Sequence, residues 1–230
     1  MTFESITGIQ IRRNVLFANK MTVPTDKTAL PRQRRKEARP SEIIEAALVE
    51  FAAKGYAGTK LEDVAARAKI SKATIYVYFE DKRTLFEACM KSRVGPVIEN
   101  AEGLINGFPG STEDILRLLI QTIYLGLVSS DARVLLRIII AESENFPFLA
   151  EMHYRNTVSK GKHVMERIIA RGIARGEFRD GDYAKVPMLL AGPAIMVTVW
   201  TLLFQKIDPI DIDTALEAHI DLILNGIKMK

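Results

Sequence analysis

Cysteine is almost absent. One residue, Cys89, stands among 230, so no disulfide can close within the chain, and nothing points to an oxidising compartment. Cys89 lies beside Leu85 and Phe86 on an apolar helical face and reads as a buried, inert thiol. Histidine is scarce too. His153, His163 and His219 are isolated, and none has metal-ligand spacing from another His or from the cysteine. A glycine-rich phosphate loop and a nucleophile motif are both missing. The chain therefore offers no catalytic, metal or cofactor constellation. An excess of one charge is missing as well. The formal net charge is +4, too small for its total to argue nucleic-acid binding. The first twenty residues contain Arg12 and Arg13 and no continuous apolar run, so they are not expected to be a secretory signal.

What is present is an ordinary globular composition, 48% hydrophobic and 26% charged. The length allows one large domain or a small one plus a larger one. Met1 to Lys20 read as an over-long start or a flexible arm. Thr22 to Arg39 is polar and basic, with Arg32, Arg34, Arg35, Lys36 and Arg39 crowded at its end. Such a run serves as a solvated linker, or adds phosphate neutralisation beside a DNA-reading unit. Pro40 and Ser41 are expected to begin the first helix. Ile44, Ala47, Leu48 and Phe51 form its inner face, and Gly55 is the expected left-handed stop.

Thr59 to Phe79 reads as two short helices and a tight turn. Thr59 and Glu62 have the spacing of a capping box. Leu61, Val64, Ala65 and Ala68 then share a face. Lys69 and Ile70 make the turn, and Ser71 caps the second helix. In that helix Ile75 and Phe79 point inward. Ala73 and Val77 lie nearly opposite, flanked by Thr74 and Tyr76, with Lys72 and Lys82 at the ends. A nearly uncharged face fenced by lysines and tyrosines suits the DNA major groove. There small apolar groups touch thymine methyls, Thr bonds base edges, and Lys and Tyr hold phosphates. The same pattern also suits a short amphipathic helix inside a bundle, with Tyr76 and Tyr78 half-buried.

The run Gly-Tyr-Ala-Gly-Thr-Lys-Leu-Glu-Asp-Val-Ala, followed by Ile-Ser-Lys-Ala-Thr-Ile-Tyr-Val-Tyr-Phe-Glu-Asp-Lys-Arg-Thr-Leu-Phe, resembles the DNA-binding domain of TetR-family bacterial transcriptional regulators. The likeness runs without a gap from about Arg39 to Met90 and includes Tyr-x-x-Phe-x-x-Lys at Tyr76, Phe79 and Lys82. Further on, Arg137-Ile-Ile-Ile-Ala-Glu-Ser-Glu-Asn-Phe-Pro-Phe-Leu and Arg175-Gly-Glu-Phe-Arg more loosely resemble the C-terminal domain of the AefR-like branch.

Asp81 is expected to cap a fourth helix running to about Asn106 and bent near Gly95-Pro96. Leu85, Phe86, Cys89 and Met90 pack it on the reading unit, and Val94, Val97 and Ile98 carry it into the next domain. Later helical patterns run Thr112 to about Val128, Asp131 to about Glu144, Leu149 to about Arg175, Val186 to Gln205 and Ile210 to Met229. No segment alternates as a strand. The uncharged stretch Val186 to Gln205 has the length of a membrane span. Gly192-Pro193, Thr198, Thr201 and Gln205 within it favour a helix buried in a dimer interface instead.

The expected fold is all-α: a flexible basic arm over 1–38, a three-helix helix-turn-helix DNA-binding domain over 39–86, and a larger helical ligand-binding and dimerisation domain over 87–230. The resemblance implies a cytoplasmic homodimer, usually a repressor, joined through its last two helices. It would bind a palindromic double-stranded operator and be released by a small-molecule inducer. By motif position Lys72, Ala73 and Thr74 would approach bases, Thr59, Lys60, Tyr76, Tyr78 and Lys82 would hold phosphates, and Ser71, the cap, belongs to the same DNA-binding set. Lys72 and Ala73 stand where Gly or Pro is common in the family, so operator sequence does not carry over. Inducer-lining candidates are Tyr124, Leu127, Ile138, Glu142, Phe146, Met152, His163, Met165, Met196 and Trp200, each of which also fits plain core packing. Glu142 stands out, because a carboxylate on a mostly apolar helix needs a partner or a ligand. The rival reading is a helical enzyme or small-molecule carrier that binds no DNA.

Overall fold

Local signals in the sequence become helix boundaries in a computed structural model that describes residues 31–105, 108–128 and 130–229, with side chains described over 39–96, 108–128 and 130–229. The chain divides into Met1–Arg39 and Pro40–Lys230, and the core packing is that of the second unit. The expected arm up to residue 30, the basic side chains Arg32 to Lys36, and Val97 and Ile98 lie outside what is described.

Helix α1 (Pro31–Gly58) begins nine residues earlier than the Pro40 expected, since Pro31 is an equally good first-turn residue. Its buried face is Ile43, Ala46, Ala47, Leu48 and Phe51, with Ile44 partly buried. Gly55 breaks it with φ 71° and ψ −175°. That is the extended region of positive φ, open essentially to glycine alone, rather than a left-handed helical cap. The short last turn beyond the break, together with Thr59 and Lys60, is the bend leading to α2 (Leu61–Arg67) and is called the α1–α2 loop.

Helices α2 (Leu61–Arg67) and α3 (Lys72–Tyr78) are joined by Ala68 to Ser71. The turn is a Schellman motif: Lys69 stands at φ 54°, Lys69 N–H donates to Ala66 O at 3.2 Å, and Ile70 N–H donates to Ala65 O at 3.0 Å. Ser71 caps α3, accepting from Thr74 N at 3.1 Å. The expected capping box at α2 does not form. Lys60 is the cap residue and makes no side-chain cap bond, because the Thr59 hydroxyl turns back to Gly55 O at 2.6 Å. Helix α4 (Lys82–Ile105) is capped by Asp81, which accepts from Thr84 N at 2.7 Å, and it contains Pro96.

Helix α5 (Thr112–Ile123) starts with a true capping box between Ser111 and Asp114 and runs on as a π-helical turn, Tyr124–Val128. Then come α6 (Ala132–Glu142), α7 (Phe148–His153), a second π turn Tyr154–Val158, and α8 (Ser159–Ala174). A second Schellman motif ends α8, with Gly176 at φ 67° and Glu177 N–H on Gly172 O at 2.9 Å. Gly172 is needed there, since a Cβ would run into the Phe178 ring.

The long apolar stretch is not one helix. Pro187 and Pro193 lack amide donors, so a 3₁₀ segment (Pro187–Ala191) precedes α9 (Gly192–Leu203). Helix α10 (Ile212–Ile227) closes the unit, capped by Asp211. Among the described residues no helix is long and apolar enough to cross a membrane. The extended chain contributes one isolated antiparallel bridge, Phe178 with Lys228, and no strand among the described residues.

Two hydrophobic clusters result. The first joins α1, α2, α3 and the start of α4 to Leu135, Ile138, Ile139, Leu149 and Met152 of α6 and α7. The second packs α5, α8 and the 3₁₀ segment with α9 and α10. The helix-turn-helix therefore shares one core with part of the larger helical region. Cys89 sits in that core at 0% exposure, and burial pushes its thiol up to about 12, as expected of an inert buried cysteine.

Candidate nucleic-acid interface

Helix α3 is seven residues long and has two opposed faces. Ile75 is fully buried and Phe79 nearly so. They pin α3 to the first core, so the rest of its surface is turned outward. Ser71, Lys72, Ala73, Tyr76 and Val77 are exposed, and Thr74 and Tyr78 are partly so. Val77 is 72% exposed and leaves an apolar side chain on the outward face.

The polar groups on this face are held loosely. Lys72 Nζ pairs with Glu62 Oε1 at 2.6 Å and lies 5.6 Å from the centre of the Tyr76 ring. Both partners of that pair are well exposed, so it is weak and easily exchanged for a phosphate. Ser71 Oγ and Thr74 Oγ1 are 2.8 Å apart, which ties the first turn together. Lys60 is exposed at the head of α2. Behind the face, Glu50 on α1 takes Lys54 at 2.8 Å and Arg67 at 2.6 Å, locking α2 to α1. The hydrogen bond from Lys54, then that from Arg67, holds the Glu50 carboxyl below its ordinary value.

Two of the expected phosphate contacts are corrected. Thr59 is 1% exposed and its hydroxyl is used on Gly55 O, so its side chain offers nothing outward. Lys82 turns inward. Its Nζ donates to the carbonyls of Tyr56 at 2.7 Å, Thr59 at 3.0 Å and Ala57 at 3.3 Å, and stands 4.5 Å from the centre of the Tyr56 ring. An ammonium has three protons, and all three are engaged. Burial pulls Lys82 below its ordinary value, and nearby Glu142 opposes that pull.

Lys82→Met should therefore act on the fold. The expected loss is about 2 kcal/mol of unfolding free energy, from bonds to a charged donor, read by urea or thermal unfolding. The slope of log affinity for DNA against log salt should stay unchanged. A slope smaller by about 1 would place the ammonium on a phosphate instead.

The inducer-lining candidates do not gather in one place. Ile138 and Met152 are buried in the first cluster, with Phe146 packed against it. Tyr124 and Met165 belong to the second, where Tyr124 Oη donates to Ala215 O at 3.2 Å. His163 has a 70% exposed side chain beside Glu166, and Met196 is 54% exposed. Leu127 and Trp200 are partly buried, and Trp200 Nε1 donates to Asp208 O at 2.8 Å. Glu142 is engaged with backbone instead. Its carboxylate accepts the Tyr56 amide on Oε1 and the Ala57 amide on Oε2, both at 2.7 Å. The exposure of Val77 was readable from its position opposite Ile75. The partners of Glu142 were not, because backbone amides 86 and 85 residues away carry no side-chain signature.

The sequence pattern of bacterial regulatory proteins of the tetR family matches residues 43–89, and that of the AefR-like transcriptional repressor C-terminal domain matches 114–225. The fatty acid metabolism regulator protein of Bacillus subtilis is 26% identical over 201 residues, 85% of this chain and 100% of that protein. The biofilm operon icaADBC HTH-type negative transcriptional regulator IcaR of Staphylococcus aureus is 40% identical over 50 residues, 22% of this chain and 27% of its own. The crystal structure of the transcriptional regulator FadR from Bacillus subtilis in complex with stearoyl-CoA superposes with a TM-score of 0.66 at 23% identity. It covers 81% of this chain and 98% of that one, a likeness that speaks for the fold.

Proposed function

The chain belongs to the TetR family of bacterial regulatory proteins, and from that premise we propose that it is a transcriptional repressor that binds a palindromic operator as a homodimer and is released by a small molecule. The observation that carries the reading is the outward face of α3: exposed Lys72, Ala73, Tyr76 and Val77 on a helix pinned by Ile75 and Phe79. Each subunit lays this face in a major groove, with half-sites roughly 34–36 Å apart or a multiple of it. Lys72, Ala73 and Thr74 approach bases, and Lys60, Tyr76 and Tyr78 approach phosphates. Residues 39–86 act as the reading domain and 87–230 as the effector and pairing domain.

Pairing is supported by apolar side chains left exposed on α9 and α10, among them Ile195, Met196, Leu203 and Leu222, the last two at 62% and 65%. A second copy of the same face would cover them. For the inducer, a long-chain acyl-CoA is the first class to test, because the B. subtilis FadR structure holds stearoyl-CoA.

Selection of bound duplexes from a random pool tests the whole reading, with the mass measured in free and bound states. A palindrome bound by twice the chain mass is expected. A monomer indifferent to every duplex at low salt overturns it. Stearoyl-CoA added to the selected complex tests the inducer class separately.

Val77 gives a sharper expectation. It has no hydrogen-bonding group, so its only base contact is apolar, and the thymine methyl is the apolar group of the major groove. Replacing the contacted thymine by deoxyuridine removes one methyl and should weaken binding about fourfold, from about 0.8 kcal/mol per buried carbon. In Val77→Ala the same base change should matter little. Equal losses in both proteins would show that Val77 does not read the methyl.

A further inference from the structure

Resting on the operator-binding reading, we propose that Glu142 is a positioning residue for DNA recognition: it fixes the loop from which the helix-turn-helix hangs. Glu142 is the last residue of α6. Each carboxylate oxygen takes one successive amide of the loop between α1 and α2, Tyr56 on Oε1 and Ala57 on Oε2, both at 2.7 Å. Two parallel charge-assisted bonds fix orientation as well as distance.

The loop is gripped from its other side by Lys82, which takes the carbonyls of Tyr56, Ala57 and Thr59. The peptide groups thus run between an anion on their N–H side and a cation on their C=O side. Gly55 makes the approach feasible, since a Cβ there would collide with Glu142 Oε1. Helix α2 has no side-chain cap of its own, so the loop determines where α2 begins. Leu61, Val64 and Ile75 in a common core then carry that position to α3.

Glu142 belongs to the larger helical region. Helix α6 packs against α4, α7, α9 and the π turn after α5. A second link from the same helix, Arg137 Nη2 to Ala52 O at 2.8 Å, is one exposed bond to a helix end. Glu142 is the bidentate one. A small displacement of α6 is therefore passed to the loop, and through the loop to the outward face of α3.

The experiment compares the full-length wild type with Glu142→Gln, and with Arg137→Met as a neighbouring control, on the duplex selected from the random pool. Glutamine keeps the volume but offers one acceptor and sets an N–H₂ against an N–H. Three readouts are taken: affinity for the selected duplex, affinity for duplexes with the half-sites one base pair closer or farther, and hydrogen exchange at individual amides. For Glu142→Gln we expect operator affinity to fall about tenfold, the preference for the selected spacing to flatten, and exchange to accelerate at Tyr56 and Ala57 alone. The salt slope stays that of the wild type, because phosphate contacts are untouched. Arg137→Met should keep the spacing preference.

The inference is overturned if Glu142→Gln keeps wild-type affinity and spacing preference, or if protection is lost uniformly through the core, which would mark a merely structural role. If the wild type selects no operator, the functional reading fails first. The two failures are thus told apart.

Discussion

Phe86→Ala is expected to cost about 3–5 kcal/mol of unfolding free energy, the range for emptying a fully buried aromatic site, and to lower the melting temperature by on the order of 10 °C. Phe86 is 0% exposed at the start of α4. Its ring meets Phe51 edge-on at 4.9 Å and Tyr56 edge-on at 5.4 Å. Tyr56 in turn touches Phe146 at 5.1 Å and Phe148 at 5.2 Å. Phe86 therefore joins α4 to α1 and the α1–α2 loop, and Tyr56 carries the contact on to Phe146 and Phe148 at the start of α7. Edge-on pairs add about 0.5–1.5 kcal/mol each beyond area burial. The site collapses poorly once emptied, because Glu142 and Lys82 hold the loop backbone on either side of Tyr56. Thermal and urea unfolding measure the loss. Val49→Ala, on the same helix as Phe51 but 47% exposed, is the control and should change little. A loss for Phe86→Ala below about 1 kcal/mol would mean that the neighbouring rings refill the space.

Gly55→Ala is expected to cost about 3 kcal/mol or more, from two independent sources. The first is backbone strain. At φ 71° and ψ −175° an L side chain meets its own peptide, at a cost of about 1–3 kcal/mol. The second is displacement of Glu142, whose Oε1 occupies the place of the new Cβ. Moving the carboxylate breaks its bonds to Tyr56 N and Ala57 N, each worth about 1.5–3 kcal/mol for a charged acceptor. Gly226→Ala serves as control. That glycine lies in α10 with nothing within 4 Å of its would-be Cβ, so the change should be neutral or stabilising by about 0.5–1 kcal/mol. Unfolding of both variants, with hydrogen exchange at Tyr56 and Ala57, separates the sources. Strain alone lowers stability and leaves those amides protected. Displacement exposes them.

The helix-turn-helix was legible almost residue by residue. Ser71 caps α3, Asp81 caps α4, Lys69 makes the turn, and Ile75 and Phe79 face inward. These features depend on neighbours within about four residues, which the sequence displays directly. Boundaries with competing signals were read less well. Pro31 and Pro40 both suit a helix start, and the earlier one prevails. Thr59 and Glu62 have capping-box spacing, yet the Thr59 hydroxyl prefers the Gly55 carbonyl, four residues behind it. In the uncharged stretch, composition suggested one helix from Val186. The prolines instead divide it into a 3₁₀ segment and a shorter α9.

The larger region was legible as helical but not in its contacts, and the single helix expected from Leu149 to about Arg175 is divided by a π turn at Tyr154–Val158. Residues grouped by type as inducer-lining divide between two cores and the surface, since helical periodicity tells which face is apolar and not what covers it. Lys82 and Glu142 show the same limit from the polar side. Lys82 was read as a phosphate contact and Glu142 as needing a partner or a ligand, and both close on main-chain groups of one loop.

By itself, then, the sequence determined the all-helical fold, the helix-turn-helix and the outward face of α3, because caps, turns and periodicity are local. Only the tertiary structure decided that an acid on α6 and a lysine at the start of α4 meet across the loop 55–59. Every residue but proline carries the same amide and carbonyl, so which of them a distant charge finds is settled by packing alone.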